Sequence, residues 1–152
     1  MIEQITIKRA SIKDIDEISC LLEAYRAFYK RKAFPIDTLT AFISQRIKNN
    51  EVTIFLAHLD DKPIGIAQLY PAYSTLSLGK VWTLYDLYVD QACRRQGVGG
   101  KLLASCKDFA VSDGAFRLEL KTERDNLQAR ALYERFGFTK LDTYDYYQLM
   151  LD

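Results

Sequence analysis

The 152-residue sequence contains a single histidine, His58, and three cysteines, Cys20, Cys93 and Cys106. One histidine argues against a zinc site and against a Ser-His-Asp site, because both need imidazole groups placed among further ligands or partners. The cysteines lack metal-ligand spacing, and an odd number fits reduced thiols better than a disulfide framework. We therefore expect no metal site and a reducing compartment.

Long apolar runs and a strong net charge are also missing. No apolar run approaches about 18 residues, and the opening MIEQITIKRA lacks the apolar core of a signal peptide. The formal net charge of +1 gives no reason to invoke nucleic acid or a membrane surface as a partner. The sequence thus predicts a cytoplasmic protein that binds neither of them.

Internal repeats, low-complexity segments and linkers rich in proline, glycine or serine are absent as well. Of all residues, 49% are hydrophobic and 27% charged, which is ordinary for a globular protein. A chain of this length is large enough for a genuine hydrophobic core. We therefore expect one domain over residues 1–152.

The spacing of apolar residues changes several times between the period of a strand and that of a helix. Helical spacing follows Ser11, an N-cap candidate, and it returns after Pro35, with Asp37 as the expected cap. Further helices are predicted over 98–112 and 126–136, and strands over 4–10, 52–59, 63–70, 80–89, 116–122 and 144–151. This order of hairpins and crossover helices predicts an α/β fold, a mixed sheet with helices on both faces.

Residues 94–103, RRQGVGGKLL, place three glycines where a strand gives way to a helix. Glycine is about 1 kcal/mol less favourable than alanine in a helix, so a helix start this rich in glycine needs a reason. A helix N-terminus exposes unpaired N–H groups and carries partial positive charge, and glycines let a phosphate approach the backbone closely. This predicts a phosphate or pyrophosphate site; a tight turn with its basic residues in solvent is the alternative.

Leu102 excludes two common nucleotide motifs. A Walker-type loop needs Ser or Thr after its lysine, whereas Leu102 follows Lys101. A dinucleotide fingerprint needs a third glycine three residues after Gly99, and that position is again Leu102.

The segment 94–99 resembles the central signature of the GNAT superfamily of acetyl-CoA-dependent N-acetyltransferases: Arg or Gln, two residues, Gly, one residue, then Gly or Ala. The second signature of that family, an Asn followed by an Ala/Leu-Tyr helix and Gly-Phe, is similar to residues 126–138. The strand LYDLYV resembles the strand that precedes the first signature. Within the superfamily, RAFYKRK, LYPAYSTLSLGKVW and YDLYV look like a branch that acetylates small amines, including polyamines, and in some members histones.

The resemblance implies a mixed, mostly antiparallel sheet of six to seven strands in which two parallel strands splay apart to hold acetyl-CoA. Backbone groups of Leu87 and Val89 would pair with the pantetheine arm, and N–H groups from Arg95 to Lys101 would hold the pyrophosphate. The implied cofactor-binding residues are Leu87, Tyr88, Val89, Arg94, Arg95, Gln96, Gly97, Val98, Gly99, Gly100, Lys101, Asn126, Ala129 and Tyr133. The resemblance further implies a homodimer.

Tyr133 is the implied catalytic acid. Asn126 and Tyr133 are seven positions apart, within about 20° of each other around a helix. In the family, the Asn contacts the cofactor's arm and the Tyr protonates the departing sulfur. The pKa values of a thiol, about 8.5, and of tyrosine, about 10, are close enough for this transfer. A core aromatic beside Leu132 and Phe136 is the alternative.

Asp86 is the candidate for receiving the proton of the amine, since an alkylammonium has a pKa of about 10.4 and must be deprotonated before it attacks. If no bulge intervenes, Asp86 shares a strand face with Trp82, Leu84 and Tyr88. Burial there raises the pKa of a carboxylate and suits it to bind a cation or accept a proton. Ordinary pairing with a basic neighbour is the alternative.

The identity of the base stays open. Some small-amine members carry Glu directly before this Asp, whereas Tyr85 stands there in this sequence. Glu119 and Glu123 are weaker candidates for the base.

Aromatic side chains with scattered carboxylates suit a cationic amine. The predicted substrate-binding residues are Tyr25, Phe28, Tyr29, Tyr85, Asp86, Glu119 and Asp145. Plain core packing is the alternative for the aromatic residues. The sequence thus predicts acetyl transfer from acetyl-CoA to a primary amine of a small molecule, a polyamine or an amino-acid-like compound, by direct attack in a ternary complex. The alternatives are a protein lysine or N-terminal acetyltransferase and a catalytically silent acyl-CoA sensor.

Overall fold

The computed structural model describes residues 4–151. In chain order the helices and strands are β1 (Ile5–Arg9), α1 (Ile15–Phe28), α2 (Ile36–Lys48), β2 (Thr53–Leu59), β3 (Lys62–Ser74), β4 (Gly79–Val89), α3 (Val98–Ser112), β5 (Arg117–Leu120) and α4 (Leu127–Phe136). The chain forms two compact units, residues 1–121 and 122–152. α4 belongs to the second unit, and all other elements belong to the first.

The first unit contains a five-stranded sheet in the order β1-β2-β3-β4-β5. Three neighbouring pairs are antiparallel, and β4 and β5 are parallel. The predicted mixed, mostly antiparallel sheet with one parallel pair is confirmed, but with five strands among the described residues instead of six or seven. The expected strand over 144–151 was wrong: those residues form no strand. Alternating side chains show only that a segment is able to pair, and a strand also needs a neighbouring backbone.

Helices cover both faces of this sheet. Ile54, Leu56 and Ile66 belong to the buried core beneath α1 and α2. Phe55, between the first two of these on β2, lies with its ring centroid 6.0 Å from that of Phe109 in α3. Because neighbouring residues of a strand point to opposite faces, α1 and α2 cover one face and α3 the other.

The chain enters α1 and α2 through different caps. Ser11 and Asp14 form a capping box, in which Ser11 Oγ accepts from the N–H of Lys13 and Asp14 Oδ2 accepts from the N–H of Ser11. Ser11 caps a single 3₁₀ turn, Ile12–Asp14, that leads directly into α1, so the predicted N-cap at Ser11 is confirmed for this turn, and Asp14 is the N-cap of α1 itself. The predicted cap at Asp37 was wrong, because Pro35 is the N-cap of α2 and Asp37 lies in the first turn. The φ of −54° at Pro35 is already suited to a helix start, so the helix begins earlier than expected.

β4 carries one residue more than β3 does at the centre of their pairing. Gln68 lies opposite Asp86 and Leu69 lies opposite Leu84, which leaves Tyr85 without a partner on β3. This is a β-bulge, and it changes which face the later side chains of the strand take.

The bulge separates two groups of side chains on β4. The Trp82 ring lies 4.9 Å from a phenylalanine ring of α3, whereas the Tyr88 ring lies 6.0 Å from that of Tyr25 in α1. Asp86 is two positions from Tyr88 and shares its face. The expectation that Asp86 also shares a face with Trp82 and Leu84 was therefore wrong. It held only for a strand without a bulge, and a bulge is present at Tyr85.

Several polar and sulfur-containing residues have structural positions. Cys106 is buried, and burial raises the pKa of its thiol to about 12. Cys93 is also buried. His58 is buried, with its Nε2 2.9 Å from a carboxylate oxygen of Glu17, and this contact joins β2 to α1.

Two kinds of feature are missing from residues 4–151. No group of three His, Cys, Asp or Glu side chains is placed to hold a metal ion. In the same range, no helix combines the length and the apolar character needed to cross a bilayer.

Candidate active site

The start of α3 presents backbone N–H groups. Gly97 is its N-cap, with φ of +81°, and no side chain caps the helix. The N–H of Lys101 donates to the carbonyl of Gly97 at 3.1 Å, so the N–H groups of 98–100 have no acceptor inside the helix. Nothing lies within 4 Å of the space that a Cβ atom would occupy at Gly97 or Gly100. The backbone here is therefore open to a ligand.

Two left-handed residues shape this segment. Arg95 has φ of +62° and Gly97 has φ of +81°, on either side of Gln96. Left-handed residues in such a run turn successive N–H groups toward one concave side, an arrangement that binds anions. The residues present thus fit the pyrophosphate of a coenzyme.

The side chain of Arg94 contacts both β4 and α1. Its Nε donates to the carbonyl oxygen of Val89 at 2.9 Å. Its guanidinium carbon lies 4.6 Å from the ring centroid of Phe28 and 5.7 Å from that of Tyr88. The side chain therefore fastens the end of β4 to α1, and Arg95 and Lys101 remain as the basic side chains beside the glycines.

Among residues 4–151, the second half of β4 pairs with a strand on one side only. β5 pairs with residues 81–84 of β4, whereas β3 pairs with β4 as far as Val89. The pairing of β4 with β5 thus ends at residue 84, and the implied splaying of these strands around acetyl-CoA stays a prediction.

The hydrogen bonds of β4 indicate which backbone groups meet this open edge. The N–H of Asp90 donates to the carbonyl of Ile64 at 2.8 Å. Backbone groups along an antiparallel strand alternate in direction, so those of Tyr88 also point to β3. Those of Leu87 and Val89 point to the edge that β5 leaves open, and an extended ligand is able to pair there.

Asp86 is a half-buried carboxylate surrounded by neutral donors. Gln68 Nε2 donates to Asp86 Oδ2 at 2.8 Å, and the hydroxyl of Tyr25 in α1 donates to the same carboxylate. Burial raises the pKa of Asp86, and these two hydrogen bonds oppose the rise without cancelling it. Among residues 4–151, no lysine or arginine forms an ion pair with Asp86.

Four aromatic rings form a connected cluster, and one of them, Tyr25, donates to this carboxylate. Tyr25 and Phe28 lie in the last turns of α1, Tyr29 is its C-cap, and Tyr88 lies on β4. Centroid distances are 5.1 Å for Tyr25–Tyr29 and Phe28–Tyr29, 6.0 Å for Tyr25–Tyr88 and 6.4 Å for Phe28–Tyr88. The structure thus brings together the three predicted aromatic residues of α1. Aromatic faces near a carboxylate attract a cation.

Two residues of β3, Gln68 and Tyr70, were missed by sequence reasoning, which named no candidate on that strand. Gln68 is 3% exposed, and its signal in the sequence was an amide within the apolar run PIGIAQLY. Tyr70 lies 5.4 Å from Tyr85 between ring centroids. Burial, and then the charge of Asp86, raises the pKa of Tyr70 to about 12, so its phenol stays protonated at neutral pH.

The other predicted acidic residues, Glu119, Glu123 and Asp145, are exposed. Glu119 lies on β5 and accepts from Arg117 Nε at 2.8 Å as an exposed ion pair. Glu123 and Asp145 belong to the second unit and are exposed. Asp145 lies in a stretch without regular secondary structure.

In the second unit, the helix predicted over 126–136 is confirmed. Asn126 is the N-cap of α4, and its Oδ1 accepts from the N–H of Ala129 at 3.2 Å. Tyr133 is half-buried, with its ring centroid 5.8 Å from that of Phe138. Gly137, with φ of +124°, ends the helix as expected.

Comparison with known proteins bears on the whole chain. Residues 18–138 match the family described as the acetyltransferase (GNAT) family. The chain is 39% identical over 132 residues to an uncharacterised N-acetyltransferase, YhfO, of Bacillus subtilis, which covers 87% of this chain and 88% of that protein. It is 29% identical over 126 residues to the thialysine Nε-acetyltransferase of Caenorhabditis elegans, covering 83% and 78%.

The crystal structure of a probable acetyltransferase superimposes with a TM-score of 0.90 at 34% identity, covering 97% of this chain and 98% of that chain. The family match includes both the glycine-rich start of α3 and the whole of α4. The chain therefore belongs to the GNAT family, and it is an acetyl-CoA-dependent N-acetyltransferase.

Proposed function

We propose that the acceptor is a primary amine of a small cationic molecule, a polyamine or an amino-acid-like compound, attacked directly in a ternary complex. The observation that carries this proposal is Asp86, a half-buried carboxylate that has no ion-pair partner among residues 4–151 and that accepts a hydrogen bond from Tyr25, a member of the aromatic cluster. An ammonium group supplies the missing positive charge. The thialysine Nε-acetyltransferase, a relative named for a small amine, supports this class of substrate.

When bound, acetyl-CoA supplies an acetyl group activated as a thioester. Backbone N–H groups from Arg95 to Lys101 would hold its pyrophosphate at the start of α3. Leu87 and Val89 would pair through their backbone with the pantetheine arm, as an additional strand does. These are main-chain contacts, which explains why glycines matter more here than particular side chains.

Asp86 holds the ammonium and takes one of its protons, directly or through water. The nitrogen then forms a bond to the thioester carbon while the carbon–sulfur bond breaks. Tyr133, assigned on its place in the second GNAT signature, donates a proton to the departing sulfur. The nitrogen loses two protons in total, and the sulfur gains one through Tyr133. One proton is therefore released for each amine acetylated.

A panel of small amines and lysine-containing peptides tests the proposal. With acetyl-CoA saturating, we expect release of the CoA thiol with polyamines or basic amino acids at a kcat/KM at least about tenfold above that for peptides, since these compounds bring an ammonium group to Asp86 without the bulk of a peptide chain. A thiol-reactive dye measures the release. Faster transfer to peptides would contradict the assignment of a small-molecule substrate.

A substitution at Gly97 tests the pyrophosphate site. Gly97→Ala should weaken CoA binding by about tenfold, since a hydrogen bond to a charged group is worth about 1.5–3 kcal/mol and the left-handed backbone resists a Cβ atom. Calorimetry measures the Kd. Gly114→Ala is the matched control, because Gly114 has φ of +79° and equally open surroundings. An equal Kd in the two variants would show that the loop does not bind the coenzyme.

The ionisation of Asp86 should appear in the pH profile. Activity needs the carboxylate ionised, so kcat/KM falls as the pH drops through the raised pKa of Asp86. Asp86→Asn should lower kcat/KM by about 100-fold or more and remove this acidic limb. Asp108→Asn, an exposed site on α3, is the control and should leave the profile unchanged. An acidic limb that persists in Asp86→Asn belongs to another group.

Tyr133→Phe separates catalysis from coenzyme binding. It should lower kcat by about 100-fold, because the sulfur loses its proton donor, while the Kd of CoA changes by less than about twofold. Tyr147→Phe, at an exposed site in the same unit, serves as the control. Turnover that is unchanged at saturating acetyl-CoA would exclude Tyr133 from the mechanism.

A further inference from the structure

The side-chain amide of Gln68 makes a hydrogen bond at its nitrogen but not at its oxygen. Its Nε2 donates to Asp86 Oδ2 at 2.8 Å, whereas its buried Oε1 accepts no hydrogen bond from any of the residues 4–151. The orientation of the amide is fixed by chemistry, because an ionised carboxylate only accepts hydrogen bonds and therefore needs the NH₂ end of the amide. The carbonyl end is left as a buried acceptor.

A buried acceptor without a donor is unfavourable for folding. Methionine has a similar size and would fill the same position in an apolar strand without this penalty. Gln68 also lies directly opposite Asp86, at the residue where the β4 bulge begins. Directly opposed side chains on one face of a sheet are close neighbours. The amide and the carboxylate thus form one polar pair on the face that carries Tyr25 and Tyr88.

We propose that Gln68 Oε1 and the carboxylate of Asp86 together hold the nitrogen of the acceptor, so that Gln68 makes the enzyme selective for primary amines. This inference rests on the proposed function and assigns a specificity-determining residue to the same site. The missing donor of Oε1 is an N–H of the substrate, which arrives only when the amine binds.

The selectivity follows from counting N–H groups. After a primary ammonium has given one proton to Asp86, its nitrogen keeps two N–H groups and one lone pair. One N–H meets Asp86, the other meets Gln68 Oε1, and the lone pair is directed to the thioester carbon. A secondary amine at the same stage has a single N–H, which leaves one of the two acceptors unpaired.

The test compares primary amines with their N-methyl derivatives. The probes are benzylamine and N-methylbenzylamine, tyramine and N-methyltyramine, and any primary amine accepted in the panel with its N-methyl form. The measurement is the ratio of kcat/KM for the primary amine to that for the secondary amine. Since bulk at the added methyl affects wild type and variant alike, the change in this ratio isolates the contribution of Gln68.

Gln68→Met should lower this ratio by about tenfold relative to wild type, mainly through a lower kcat/KM for the primary amine. Tyr25→Phe is the matched control: it removes the other donor to Asp86 but leaves Oε1 in place. It should slow both amines and keep the ratio within about twofold. An unchanged ratio in Gln68→Met, or an equal fall in both variants, would overturn the proposal.

Two further measurements separate the possible failures. The Kd of CoA for Gln68→Met should match wild type, which establishes that the variant is folded. In the wild-type protein with CoA bound, adding benzylamine should shift the Gln68 side-chain carbonyl ¹³C resonance downfield, while benzyl methyl ether, which has no donor, should not; equal shifts would count against the proposal. CoA binding without transfer to any amine would refute the proposed function and this inference with it, whereas transfer with an unaltered ratio refutes the inference alone.

Discussion

The single extra residue in β4 determines which face of the sheet carries Asp86 and Tyr88. Before Tyr85 the inward side chains of this strand belong to the core beneath α3, and after it the parity changes, so that Asp86 and Tyr88 face α1. Without the bulge, Asp86 would point toward the apolar layer under α3, away from Gln68 and Tyr25. A local irregularity in the ladder thus places a carboxylate beside the amide and phenol that donate to it.

The chain from β4 to the start of α3 carries two kinds of binding group, main-chain groups on one side and side chains on the other. The start of α3 and the open edge of β4 offer main-chain groups, which bind any ligand that carries the right phosphate and amide pattern, whatever the side chains nearby. On the α1 face the groups are side chains, and in the proposed function they select the amine. Arg94 joins the two regions, because it donates to Val89 on β4 and stacks on Phe28 of α1. The most characteristic arginine of the glycine-rich signature therefore supports the aromatic cluster.

The site on the α1 face is defined by what its groups lack. Among residues 4–151, Asp86 has two neutral donors and no ion-pair partner, and the buried Oε1 of Gln68 has no donor. A positively charged nitrogen with several N–H groups would supply both the cation for Asp86 and the donor for Gln68. Unsatisfied groups are costly in a folded core, and a ligand that satisfies them is recognised strongly for that reason.

The sequence by itself determined the elements whose signals are local: the cap at Ser11, the glycine-rich start of α3 and the helix α4. Those features depend on backbone conformation and on spacing along the chain. The tertiary structure alone decided the face of Asp86, the position of the Arg94 side chain and the pairing of Asp86 with Gln68. Each of these depends on register across strands, and one bulged residue reverses side-chain alternation without any change in the pattern of the sequence.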